Sequence, residues 1–170
     1  MRFVVLRLVP HPDTPPGAVE GIEARVERAS SHLKVAYLLH GDVSRICVPP
    51  ARPPVFRDGL WRHTCFEVFA AGNAGYDEFN LSPSGEFAAY RFDGYRSGMT
   101  RLGATVPVAW RAGELEATVP LRGDAGRLAL SAVIEMQGGA LSYWALRHAP
   151  GKPDFHHSDA FALSLDELRH

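Results

Sequence analysis

Residues 60 to 99 run LWRHTCFEVFAAGNAGYDEFNLSPSGEFAAYRFDGYRSGM, and their alternation, broken twice by turn chemistry, confines the chain to antiparallel β-structure. Trp61, His63, Cys65 and Glu67 fall at alternate positions, and a strand sends successive side chains to opposite faces. Thr64, Phe66 and Val68 are thereby directed into a core, while Trp61, His63 and Glu67 share the other face. Gly72, Asn73 and Gly75 turn the chain into Tyr76 to Leu81, where Asp77, Phe79 and Leu81 oppose Tyr76, Glu78 and Asn80. Pro83, Ser84 and Gly85 turn it again into Glu86 to Asp93. A row of Trp, His and Glu is costly to bury without partners, so this face is a candidate ligand surface.

The same punctuation recurs along the chain, and helix signals are scarce. Residues 3 to 9 read as a first strand, ended by Pro10, Pro12, Pro15 and Pro16. Val19 to Arg28 fits period two (Ile22, Ala24, Val26) and also helical spacing (Val19, Ile22, Val26, Ala29). Its neighbour decides for strand: Leu33, Val35, Tyr37 and Leu39 alternate cleanly after Ser30 and Ser31, which makes a hairpin. The proline-rich segment 49–59 is a loop leading to Trp61. Further strands are expected at Thr105 to Trp110, Leu115 to Leu121, Arg127 to Met136, Leu141 to His148 and Asp159 to Leu165. About ten strands predict one all-β domain over residues 1–170, a two-sheet antiparallel sandwich of jelly-roll or immunoglobulin-like course.

Composition excludes several function classes. The formal net charge is −1 and no basic run occurs, so the electrostatic attraction on which nucleic-acid binding depends is missing. No segment reaches the ~20 apolar residues of a membrane span. The N-terminal MRFVVLRLVPHP lacks a long apolar region and a small-residue cleavage site, which predicts a cytoplasmic protein. Cys47 and Cys65 form no C-x-x-C and are expected as reduced thiols, with Cys65 buried. The sequence leaves the oligomeric state open.

The spacing of Trp61 and Glu67, followed by the Y-x-E-F-N-x-S-P-x-G pattern of Tyr76 to Gly85, resembles carbohydrate-binding module family 9 and the wider DOMON-like sandwich superfamily. WRAGELEATVPL (Trp110 to Leu121) is similar to the segment before that family's last strands. LWRHTCFE together with LSYWALRHAPGKPDFHHSDAFAL resembles a bacterial DOMON-like branch. The resemblance covers most of residues 33 to 165. It implies a sandwich that binds its ligand without chemistry, a sugar in some members and haem in others. Carried over, it implies Trp61 and Trp144 as stacking rings, Glu67 and Arg91 as hydroxyl partners, and Asn80 as a further one; an apolar sugar face stacks on an aromatic ring while charged groups satisfy its hydroxyls. Alternation sets Trp144 opposite Tyr143, which leaves open which ring faces the ligand, and leaves the face of Arg91 undecided between a hydroxyl and an acidic neighbour such as Glu78 or Asp93.

A second constellation lies in RHAPGKPDFHHSD, Arg147 to Asp159. His148, His156, His157 and Asp159, with His63 from an adjacent strand, make a candidate zinc or iron set, although adjacent His156 and His157 would point to opposite faces of a strand. Haem is a related alternative with Met99 and His148 as axial candidates, in the absence of C-x-x-C-H. No nucleophile elbow, phosphate loop or dinucleotide fingerprint occurs. The leading expectation is a non-catalytic binder of carbohydrate or a small glycosylated metabolite, requiring no cofactor, on a surface of Trp61, His63, Glu67, Asn80, Arg91, Tyr143, Trp144 and His148. A metal or haem protein comes second, and an enzyme or interaction scaffold third.

Overall fold

The computed structural model describes residues 3–169. Among these there is no α-helix; twelve strands alternate with short 3₁₀ turns. The strands are β1 (Val4–Pro10), β2 (Val19–Ala29), β3 (His32–Gly41), β4 (Cys65–Ala71), β5 (Tyr76–Leu81), β6 (Phe87–Phe92), β7 (Thr100–Arg101), β8 (Val108–Arg111), β9 (Glu114–Pro120), β10 (Arg127–Glu135), β11 (Leu141–Ala145) and β12 (Leu163–Ser164). All strand pairings are antiparallel, in the order β7-β6-β5-β4-β10-β11-β1-β2-β3-β9-β8, with β12 beside β10.

The expected all-β class holds, but two separate sheets give way to one curled sheet. The reason is β1. Its residues Val4 to Leu8 pair with β2, whereas Val9 and Pro10 pair with Ala145 and Trp144 of β11. One strand therefore belongs to both halves and makes them continuous.

The curl brings the inner faces of the two halves together. Leu33, Val35 and Tyr37 of β3 join Phe66, Val68, Phe79, Leu128, Leu130 and Ile134 in one core. The Tyr37 and Phe66 ring centroids are 5.0 Å apart, and the Tyr37 hydroxyl donates to the Glu67 carbonyl at 2.6 Å. The β2–β3 pair forms where expected, closed by Ser30 at φ 52. The segment expected as a strand over Asp159 to Leu165 is a 3₁₀ turn (Ser158–Ala160) followed by the two-residue β12.

β4 and β5 are buried on both faces. Below them lies the main core. On their outer side a second apolar cluster forms from Cys65, Phe69, Tyr76, Tyr90, Phe92 and Val133, covered by Leu60, Phe155 and Phe161 from loops. The buried Cys65 thiol is as expected.

Tyr37→Phe removes the buried bond that ties β3 to β4 while leaving the ring in place. It is expected to lower unfolding free energy by about 1 kcal/mol, read from urea denaturation; an unchanged midpoint would show that the hydroxyl adds nothing to the contact between the halves.

Candidate ligand-binding site

The outer face of β4, β5, β6, β10 and β11 forms the floor of a cavity of about 760 Å³, within the range of small-molecule sites. Three loop segments roof it: the turn around Asp58 to Arg62, the β6–β7 connection at Arg96 and Met99, and Lys152 to His156. The roof is tied to the floor and to itself. Tyr90 donates its hydroxyl proton to Asp58, the Arg96 guanidinium donates to Asp154 at 2.9 Å, and the Arg96 backbone N–H donates to the Tyr76 hydroxyl at 3.1 Å. Arg96 adopts φ 51 and Gly59 φ 77, the left-handed conformations that turn two of these loops over the sheet.

The centre of the floor is polar. Alternation puts Glu67 of β4 and Glu78 and Asn80 of β5 on this face, and Glu67 pairs directly with Asn80 across the ladder. The two carboxylate residues are only 3% and 5% exposed. In the orientation that satisfies its neighbours, the Asn80 amide donates to Glu67 Oε1 at 2.9 Å and Glu78 Oε1 at 3.1 Å, so the carboxyls lie side by side. Burial first, and then the neighbouring Glu78 charge, push the Glu67 carboxyl well above the usual carboxylate range, against the opposing pull of Arg96. Burial also pushes Glu78 up to about 7, despite its hydrogen bonds with Glu67 and Asn80. Two carboxyls on one site cannot both ionise cheaply. Ser131 lies directly opposite Glu67 in β10, is 1% exposed and has an unpartnered hydroxyl.

His156 stands beside the pair, its Nε2 3.7 Å from Glu78 Oε2. Its Nδ1 is 2.6 Å from the Tyr76 hydroxyl. The hydroxyl donates to Nδ1 in the tautomer that carries the imidazole proton on Nε2, and accepts from Nδ1–H in the other. Phe69, Tyr76 and Phe92 surround the imidazole with centroids 5.1, 5.6 and 5.2 Å away. Burial among these rings, followed by the Arg96 charge, lowers its pKa to about 4. His156 is therefore neutral at physiological pH.

Of the residues expected at the site, Trp61, Glu67, Asn80 and Tyr143 line the cavity, and the other four lie elsewhere. Trp61 reaches it from a 3₁₀ turn, 49% exposed, rather than from a strand. His63 follows that turn and pairs outward with Glu135 at 3.2 Å, because β4 begins only at Cys65. Thr64 is buried as expected, with its hydroxyl accepting from the Glu135 N–H. Arg91 is on the opposite face and forks onto Asp77 at 2.8 and 2.9 Å, in place of Glu78 or Asp93. Trp144 belongs to the core, 2% exposed, donating to Ser142 at 2.9 Å; Tyr143 is the ring on the ligand side. His148 lies away from the cavity and donates its Nε2–H to the Val9 carbonyl at 2.7 Å.

The postulated metal set is dispersed in the same way. His63 faces Glu135, His148 faces Val9, His156 faces Tyr76, and His157 with Asp159 caps a 3₁₀ turn. Among the described residues no group of three or more His, Cys, Asp or Glu side chains converges as a metal site would. Glu78 and His156 line the cavity centrally but are absent from the ligand surface that the sequence predicts. The Tyr76, Glu78, Asn80 alternation carried the signal for Glu78, since it puts that carboxyl on the face of Glu67.

No family model and no curated protein matches the chain. Among solved structures, that of a putative carbohydrate-binding protein from Bacteroides uniformis matches with a TM-score of 0.66 over 95% of this chain and 84% of that chain, at 16% identity. At that identity the likeness shows the fold. No helix among the described residues is long and apolar enough to cross a membrane.

The buried pair has a pH signature. A folded pKa raised from 4.5 to about 7 means that native Glu78 holds a proton the unfolded chain releases; the associated stability is complete below pH 4.5 and is lost as pH rises through 7. Glu78→Gln, neutral throughout, is expected to gain on wild type between pH 5 and 8, by at most roughly 3 kcal/mol in urea denaturation. His156 works oppositely, its contribution being lost as pH falls from 6.5 towards 4. Comparing the two proteins at each pH cancels it, and a difference that stays flat would place Glu78 in water.

Proposed function

We propose that the chain binds a small polyhydroxylated ligand, a carbohydrate or glycosylated metabolite, in the cavity over Glu67 and Glu78. The observation that carries this reading is a buried polar floor beneath aromatic walls. Glu67, Glu78 and Asn80 offer donors and acceptors on a floor that is little exposed, while Trp61, Tyr143 and Phe155 offer ring faces around them. Sugars present that combination, hydroxyls at the edge and an apolar face of C–H groups. The fold shared with a carbohydrate-binding candidate supports the reading, as does the resemblance to sugar-binding DOMON-like modules, with Tyr143 or Phe155 taking the place of a second Trp. Nothing in the reading calls for a metal or prosthetic group.

Such a site discriminates by hydrogen bonding. A ligand lacking a hydroxyl over the floor leaves a buried carboxyl or amide unpartnered, which costs about 1–3 kcal/mol, whereas a change near Trp61 meets only a half-exposed ring. Binding is expected in the millimolar to micromolar range, about −4 to −8 kcal/mol.

Calorimetric titration with mono- and oligosaccharides tests the assignment. Trp61→Ala is expected to weaken the best ligand at least about tenfold, near 1.4 kcal/mol, without a change in melting temperature, because Trp61 is half-exposed and belongs to neither apolar cluster. Asn80→Ala is expected to weaken it further by leaving both carboxyls short of a donor. Full affinity in Trp61→Ala would remove the ring from the site, and no binding across the panel would overturn the reading.

A further inference from the structure

The floor of the cavity holds more than a binding site needs. Hydrogen bonding to hydroxyls is served by amides and ionised carboxylates set apart from one another, each fully solvated or fully paired. Here two carboxyls stand close enough to be bonded by one amide nitrogen, at 2.9 and 3.1 Å, and both line the cavity. Two carboxyls so placed suit the roles of acid and base side by side.

An adjacent acid and base suit a substrate whose reacting oxygens are also adjacent. The anomeric carbon of a reducing sugar carries two, the ring oxygen and the anomeric hydroxyl. Resting on the carbohydrate reading above, we infer that the Glu67–Glu78 pair catalyses the interconversion of sugar anomers. The Glu78 carboxylate takes the proton of the anomeric hydroxyl as that oxygen forms a C=O double bond to the anomeric carbon. The bond from that carbon to the ring oxygen breaks, and its electron pair takes the proton of Glu67. The open-chain aldehyde turns about its first carbon–carbon bond, and the steps run backwards on the other face of the carbonyl. Glu78 returns its proton to the carbonyl oxygen, and Glu67 recovers its own from the attacking hydroxyl. No proton is gained or lost and no oxidant, metal or cofactor enters.

The surroundings fit each role. Burial raises the proton affinity of Glu67, and makes Glu78 a stronger base than a solvated carboxylate. His156, with its Nε2 3.7 Å from Glu78 Oε2, stands beside the carboxylate without competing for the proton, and acts as a positioning residue. The Asn80 amide nitrogen donates to both carboxyls and so fixes their spacing. A pair built on rigid strands meets the requirement that such groups be fixed before the substrate arrives.

The test follows optical rotation of freshly dissolved α-D-glucose, α-D-galactose and α-D-xylose, with and without protein, alongside calorimetric titration of the same sugars and of their methyl α-glycosides, which cannot open. Equilibration at least tenfold faster than in buffer is expected with the sugar that binds. Glu67→Gln and Glu78→Gln, both near-isosteric, are each expected to abolish the acceleration while holding the corresponding methyl glycoside within about tenfold of wild type. His156→Asn is expected to reduce kcat several-fold with little change in KM. Binding without acceleration would overturn the catalytic inference and leave the binding reading standing. Acceleration that survives in both Gln variants would overturn the assignment to this pair, and absence of both binding and acceleration would overturn the two readings together.

Discussion

Two strands with no free face set the terms for the rest of the molecule. β4 and β5 are covered below by the core shared between the two halves of the sheet and above by loops. A polar side chain on either strand must therefore find its partners inside the protein, since water is not at hand to solvate it. Asp77 does so through Arg91. Glu67, Glu78 and Asn80 do so through one another, and the consequence is a raised proton affinity at both carboxyls. The roof that imposes this burial also leaves the cavity above it, so the perturbed groups and the space for a ligand share one origin.

Much of this was legible in the residues, because alternation is a strong signal where both neighbours of a strand are also strands. Leu33, Val35, Tyr37 and Leu39 face the core as expected, and the division of Tyr76 to Leu81 into two faces holds residue by residue. The error at the N-terminal side of β4 has a local cause. The period was carried back through Thr64 to Trp61, but Gly59 at φ 77 turns the chain into a 3₁₀ turn, and regular pairing starts only at Cys65. Trp61 still meets the cavity because the turn sits over it, whereas His63 is directed outward. The faces of Trp144 and Arg91 stay open in the sequence for a different reason: their residue types match a functional pattern, and only the pairing of β11 and β6 shows which face each occupies.

What sequence alone could not convey is proximity between distant loops. His156 was notable as one of several histidines, yet its role depends on Phe69, Tyr76 and Phe92, which reach it from three strands. Those rings desolvate the imidazole and so fix its charge state. The histidines that resemble a metal set along the chain each acquire a separate partner in space. Density in sequence and convergence in structure are different properties, and here they part company.

The strand shared by both halves carries a consequence for how the chain acquires this form. β1 pairs at once with its near neighbour β2, but Val9 and Pro10 have to wait for Ala145 and Trp144, which leave the ribosome only after most of the chain has been made. Until then one edge of the first strand is open. Closure of the sheet is thus a late, long-range event, of the kind that slows β-proteins to milliseconds or seconds, and an N-terminal half released alone would present that edge for pairing with another molecule.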